Sequence, residues 1–224
     1  MTRPLFTGAC TALVTPFLNG EVNFPMLERL ISRQLEAGIR AIVVCGTTGE
    51  SATLADDEKL EIISKAKNFV KNDCLIIAGT GSNDTVHAVL LSEAAQHAGA
   101  DALLSVSPYY NKATGEGLYQ HFRAVAQAVD LPVILYNVPS RTGVDVPFSV
   151  YKQLADIPNI AGVKEASGDM AKILSIRAQC PVDFSVWSGC DELIVPTLSL
   201  GGQGVISVLS NLYPELTQTM VRAG

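Results

Sequence analysis

The chain has 224 residues, enough for one large domain or two small ones, with 48% hydrophobic and 17% charged residues, a composition that buries a large core and argues against disorder. Its formal net charge is −6 and it has no basic patch, which argues against nucleic acid as a partner. The opening residues 1–6 precede no long apolar run, and no run reaches the ~18 apolar residues of a membrane span, so neither a signal peptide nor a membrane segment is expected.

The first predicted strand covers residues 8–14 and stops at Thr15-Pro16, and Leu27, Leu30, Ile31 and Leu35 then recur at helical spacing over 24–37, closed by Gly38. A second strand, 41–45, runs into Gly46-Thr-Thr-Gly-Glu-Ser51 and a helix from Asp56 or Asp57 to about residue 71. A third, 75–78, leads to the turn 79–83 and a helix over 84–97. A fourth, 102–106, leads to Ser107-Pro-Tyr-Tyr-Asn111 and a helix over 116–129. A fifth, 132–136, leads to the segment 137–143 and a short helix over 147–155. The sixth lies in Asn159-Ile-Ala-Gly-Val-Lys-Glu-Ala-Ser-Gly168, followed by a helix over 170–178. Strands over 184–188 and 204–208 enclose a helix over 192–200, and a helical run over 214–222 ends the chain. Eight near-continuously apolar strands, each trailed by a helix, predict a parallel sheet covered by helices. Eight such units favour closure into a single (β/α)8 barrel domain spanning 1–224 over an open sheet.

The five cysteines, odd in number and widely spaced, form no zinc pattern and imply reduced thiols in a cytoplasm. His87, His97 and His121 fall in predicted helices and form no metal cluster, so no metal is expected.

The sixth strand contains the residue that asks for an explanation. Strand alternation puts Ile160, Gly162 and Lys164 on one face and Ala161 and Val163 on the other. An apolar strand holds a lysine at a cost, because a buried ammonium is poorly solvated. Lys164 is either a strand-end lysine whose amine reaches solvent, or a nucleophile whose pKa is lowered by desolvation. Active sites of (β/α)8 barrels lie at the C-terminal strand ends. Thr47, Thr48, Tyr109, Tyr110, Tyr136, Arg141, Lys164 and Gly189 all fall there, and this convergence favours the nucleophile.

Gly46-Thr-Thr-Gly-Glu50, Ser107-Pro-Tyr-Tyr-Asn111, Tyr136-Asn-Val-Pro-Ser-Arg-Thr-Gly143 and Gly162-Val-Lys-Glu-Ala166 occur in this order at matching barrel positions. Together they resemble the dihydrodipicolinate synthase (4-hydroxy-tetrahydrodipicolinate synthase) branch of the class I pyruvate aldolases, over essentially the whole chain. The resemblance implies condensation of pyruvate with L-aspartate 4-semialdehyde, with loss of water, in lysine and diaminopimelate biosynthesis. It implies no cofactor beyond a covalent lysine imine on Lys164, and a homodimer or homotetramer. Tyr136 would carry protons, Thr47 would link it to Tyr110, and Tyr110 would come from a neighbouring subunit; each tyrosine taken alone reads rather as core or interface packing. Thr47 and Thr48 would hold the pyruvate carboxylate, Gly189 and Ile206 would lie near it, and Arg141 would bind the carboxylate of the semialdehyde rather than form a surface salt bridge. The glycine-rich turn alone reads as a plain loop, and Gly201-Gly-Gln-Gly204 as a close-packed turn rather than a phosphate site.

Two rival functions remain. One is another pyruvate aldolase, acting on a 2-keto-3-deoxy sugar acid or N-acetylneuraminate, against which Arg141 speaks. The other is a keto-acid-binding remnant without turnover, because family members usually continue into further helices where this chain stops at Gly224. The resemblance also places an allosteric L-lysine crevice at Ser51, Ala52, Asn83 and Tyr109. Asp56 and Lys59 stand where sensitive enzymes tend to carry histidines, and His87 where they tend to carry a glutamate. A like charge at Lys59 and a missing acid at His87 imply weak inhibition or none.

Overall fold

The computed structural model describes residues 4–223. Eight parallel strands close into a barrel: β1 (Gly8–Ala12), β2 (Ala41–Val44), β3 (Leu75–Gly79), β4 (Ala102–Val106), β5 (Val133–Asn137), β6 (Ile160–Glu165), β7 (Ser185–Ser188) and β8 (Gly204–Ser207). Each pairs with its sequence neighbours, and β1 closes the ring against β8, with Cys10 opposite Ile206. Around it lie α1 (Phe24–Glu36), α2 (Asp56–Val70), α3 (Thr85–His97), α4 (Gly115–Ala128), the short α5 (Pro139–Thr142), α6 (Phe148–Leu154), α7 (Met170–Gln179), α8 (Ile194–Ser199) and α9 (Pro214–Ala223). This is the expected (β/α)8 architecture.

The helices begin where the loops supply an oxygen for the unpaired N–H groups of a first turn. Asn23 accepts from Met26 N at 3.1 Å, Asp84 from Val86 N at 2.9 Å, and Asp169 from Ala171 N at 2.8 Å. Buried apolar side chains divide into an inner and an outer layer. Cys10, Val43, Leu104, Ile134, Tyr136, Trp187 and Ile206 fill the barrel interior. Leu27, Ile31, Ile62, Ile76, Leu103, Phe122, Leu135, Val163 and Phe184 pack between strands and helices. Phe6 stacks on Trp187 with centroids 4.7 Å apart and closes the end of the barrel opposite the strand C-termini.

The expected alternation in β6 needs a correction. Ile160 packs in the outer layer with Val163, while Ala161 packs against the interior layer. The register slips between Val133 and Ile134, which pair with Ile160 and Gly162, leaving Ala161 as an extra residue. Gly162 takes up the bulge at φ +148°, where a Cβ would stand 2.0 Å from the Ser185 carbonyl oxygen. The bulge changes the phase of the strand, so that Ile160 faces outward although Lys164 faces into the barrel.

Four smaller features were not anticipated. Phe17–Leu18 and Glu21–Val22 form a two-stranded hairpin, and the segment after β5 contains α5. The helix expected over 192–200 begins as a 3-10 turn, Asp191–Leu193, before α8, and a second such turn covers Leu209–Asn211. None of the helices among the described residues is long and apolar enough to cross a membrane.

Candidate active site

Lys164 and Tyr136 are register partners on β6 and β5, both directed inward. Lys164 is only 4% exposed, and its Nζ lies 4.3 Å from the centroid of the Tyr136 ring. Burial lowers the ammonium from its ordinary value to about 8, opposed by Cys10, Asp191 and Cys190. Burial also raises the thiols of Cys10 and Cys190, which are therefore neutral near pH 7, so the negative charge among these three is Asp191. At pH 7 a group titrating near 8 is roughly one-tenth neutral amine, against less than about one in a thousand for an ordinary lysine. Lys164 is thus a usable nucleophile, and the solvent-reaching alternative is excluded by its burial.

The space around its side chain is set by Gly189. A Cβ there would lie 2.5 Å from the Ala166 Cβ and 3.1 Å from the Lys164 Cε. Ile206, fully buried on β8, packs in the same interior layer as Tyr136.

The Tyr136 phenol is raised by burial, with the Arg141 charge and the Thr47 side chain acting the other way. A protonated phenol beside an amine can give and take a proton. Thr47 belongs to a turn held by Gly49 N to Gly46 O at 3.0 Å and Glu50 N to Thr47 O at 3.1 Å, with Thr15 donating to Gly49 O at 2.7 Å. Among the described residues, the N–H groups of Thr47 and Thr48 have no acceptor in the turn itself. Two unengaged backbone donors in successive positions are of the kind that can hold a carboxylate.

Arg141 sits on α5, is exposed, and makes no ion pair among the described residues, so the surface salt-bridge alternative finds no partner. Its charge acts on both Tyr136 and Lys164. Tyr110 has φ +74°, is 89% exposed, and is tied to this loop only by its backbone N–H to Thr142 O at 3.1 Å. Its hydroxyl has no hydrogen-bond partner among the described residues of its own chain.

A crevice of about 610 Å³ runs along the mouth, lined by Thr47, Ser51, Ala52, Lys59, His87, Tyr109 and Arg141 among others. A cavity of about 30 Å³ lies between Thr47 and Tyr136. Five of the residues expected for an effector crevice therefore do share a wall. Asn83 does not line it, and its carbonyl accepts from Asn111 Nδ2 at 3.2 Å. Asp56 stands behind the wall, bridging Lys59 at 2.9 Å and His87 Nε2 at 2.7 Å, and these two bonds hold its carboxyl below its ordinary value. Lys59 is thus not the bare repulsive charge that the sequence implied. No group of three or more His, Cys, Asp or Glu among the described residues is placed to hold a metal ion.

A profile of the Dihydrodipicolinate synthetase family matches residues 5–224. The chain belongs to the dihydrodipicolinate synthetase family. It is 49% identical over 222 residues to the 4-hydroxy-tetrahydrodipicolinate synthase of Acetivibrio thermocellus, covering 99% of this chain and 75% of that protein. The crystal structure of dihydrodipicolinate synthase from Aquifex aeolicus superposes with a TM-score of 0.96 at 45% identity, covering 97% of this chain and 75% of that one. The same enzyme from Cyanidioschyzon merolae, solved with lysine bound, gives a TM-score of 0.94 at 44% identity, covering 98% and 76%.

Sequence reasoning missed several polar residues of the site. Asn137, Glu165 and Tyr151 form a buried cluster directly behind Tyr136 and Lys164. The signal was available: Glu165 is an acid following Lys164 in a strand too apolar to hold one idly. Asp191, whose carboxylate accepts from Val208 N at 3.1 Å and Leu209 N at 2.9 Å, is the nearby negative charge, and it carried no motif.

Proposed function

We infer that Lys164 is the imine-forming nucleophile of a 4-hydroxy-tetrahydrodipicolinate synthase. The family reaction joins pyruvate and L-aspartate 4-semialdehyde in lysine biosynthesis, and the chain is a lyase that needs no added cofactor. The observation that carries the assignment is a buried lysine, lowered to about 8, paired across the strands with a tyrosine whose ring lies 4.3 Å from its Nζ. The neutral amine adds to the pyruvate ketone, and loss of water leaves a cationic imine. This electron sink lets the methyl carbon lose a proton and become an enamine. The enamine carbon attacks the aldehyde of the second substrate. The amine of that substrate then displaces Lys164 and closes the ring, so one water leaves overall. Tyr136, backed by Thr47, suits the proton transfers. The free N–H groups at Thr47 and Thr48 suit the pyruvate carboxylate, with Gly189 and Ile206 shaping its surroundings. The unpaired Arg141 suits the carboxylate of the semialdehyde through charge-assisted hydrogen bonds, and this favours it over a sugar acid. The exposure of Tyr110 supports a homodimer or homotetramer in which it reaches a neighbouring site.

Borohydride with pyruvate is expected to add a reduced pyruvyl group to Lys164, seen by peptide mass, and Lys164→Ala to abolish it. The trapping rate should rise with pH through about 8 and level off above it, because the amine is protonated below its pKa and neutral above. Label on a different lysine would overturn the assignment.

A further inference from the structure

Immediately after the Tyr136–Lys164 pair, the next register pair is Asn137–Glu165, and both side chains are buried, at 0% and 2% exposure. The Glu165 carboxylate accepts four hydrogen bonds. Asn137 Nδ2 reaches Oε1 at 2.9 Å and Oε2 at 3.1 Å, Ser167 N reaches Oε1 at 2.8 Å, and the Tyr151 hydroxyl reaches Oε2 at 3.0 Å. Burial and the Glu165 charge raise the Tyr151 phenol well above its ordinary value, so it remains a donor.

Asn137 begins the segment that carries Arg141, and its side chain also holds that segment's far end. Its Nδ2 donates to Asp145 Oδ1 at 2.9 Å, and its Oδ1 accepts from Val146 N at 3.1 Å. Lys172, on α7, pairs with Asp145 and donates to Val146 O at 3.3 Å. The loop between these anchors contains α5 with Arg141, and Thr142 O within it carries the backbone of Tyr110. The bonds of the Glu165 carboxylate thus all lie outside the catalytic mouth, which Glu165 meets only through its backbone carbonyl, accepting from Gly189 N at 2.7 Å, and the side chain joins the strand that bears the nucleophile to the loop that bears the free guanidinium.

We propose that Glu165 is a positioning residue that fixes Arg141 relative to Lys164 through the side chain of Asn137. The inference rests on the reading of Lys164 and Arg141 given above. Its physical basis is the cost of an unsatisfied buried donor: without the carboxylate, Asn137 Nδ2 and Ser167 N lose their acceptor, and the cheapest remedy is for the Asn137 side chain to turn and release the loop. Lys164 itself is held by β6 pairing on both sides and stays in place.

The test separates the two half-reactions. Glu165→Ala should leave the rate of borohydride trapping of pyruvate on Lys164 within about threefold of the parent, while raising KM for the semialdehyde by about tenfold or more. Glu165→Gln keeps one acceptor oxygen for Asn137 and Ser167, and Tyr151 can turn to accept from the new amide, so it should restore KM to within about threefold. Asp145→Ala loosens the far, exposed end of the same clamp without touching the core, and should raise the semialdehyde KM by about threefold with trapping unchanged. Equal loss in both half-reactions, a glutamine variant as damaged as the alanine one, or an unchanged KM in Glu165→Ala would each overturn the proposal. If Glu165→Ala does not fold, an unchanged KM in Asp145→Ala does so. Failure of the parent itself to trap pyruvate on Lys164 would sink the site reading instead.

Discussion

The charges along the mouth crevice decide how it treats a cationic ligand. Lysine offers two ammonium groups and one carboxylate, and an effector crevice for it needs acids facing the ammonium groups. Asp56 is the acid closest to Lys59 and His87, but both of its oxygens are engaged by those two residues, at 2.9 and 2.7 Å. It is neutralised where it stands and offers little to an incoming cation. Any gain from Asp56 would have to break its existing bonds, an exchange worth little near a surface. Glu50 is exposed on the crevice wall and makes no ion pair among the described residues, but Lys59 and Arg141 stand on the same wall, and on this balance we propose weak L-lysine inhibition or none. Initial rates at saturating pyruvate should show half-inhibition well above about 1 mM, equivalent to binding weaker than about −4 kcal/mol. A midpoint at or below that concentration would refute the charge argument.

At the scale of one strand, β6 shows how a local device sets chemistry. Without the bulge, strict alternation from Ile160 would turn Ala161 outward and bring Ile160 inward beside Lys164. The bulge needs a residue that tolerates φ +148° and has no side chain to meet the Ser185 backbone, which leaves glycine. Gly162→Ala should cost about 3 kcal/mol or more, since a Cβ 2.0 Å from a carbonyl oxygen forces β6 and β7 apart. Urea unfolding of the variant is the direct measurement. A stability within experimental error of the parent would mean that the strands separate freely, contrary to the packed ring on both sides of them.

At the scale of the whole molecule, Tyr110 is 89% exposed at the mouth and tied to its own chain by a backbone bond to Thr142 O. If it completes a neighbour's site, two inactive variants should repair each other. Lys164→Ala lacks the nucleophile but presents Tyr110; Tyr110→Phe has the nucleophile but presents no hydroxyl. A mixed dimer holds one site with both groups intact. Reassembling equal amounts by random pairing should return roughly a quarter of parent activity, since half of the dimers are mixed and each has one good site of two. Recovery at the level of the unmixed variants would show that Tyr110 acts within its own chain or not at all.

The barrel was legible in the sequence because eight apolar runs with intervening 3.6-residue periodicity leave a parallel sheet little alternative. The same pattern placed Lys164, Tyr136, Arg141 and the Thr47-Thr48 turn at one mouth, since every C-terminal strand end in such a barrel faces the same way. The caps Asn23, Asp84 and Asp169 are equally short-range, bonding to residues two or three positions away, but the sequence reading did not single them out. The bulge at Gly162 was not legible, because a glycine in a strand does not reveal which backbone it approaches. Nor was the Glu165–Asn137–Tyr151 cluster, whose members lie up to 28 residues apart and meet only when β5, β6 and α6 pack together. The lowering of Lys164 to about 8 belongs to the tertiary structure for the same reason. Desolvation is a property of everything that surrounds an amine, and the residues that surround this one come from strands all around the ring.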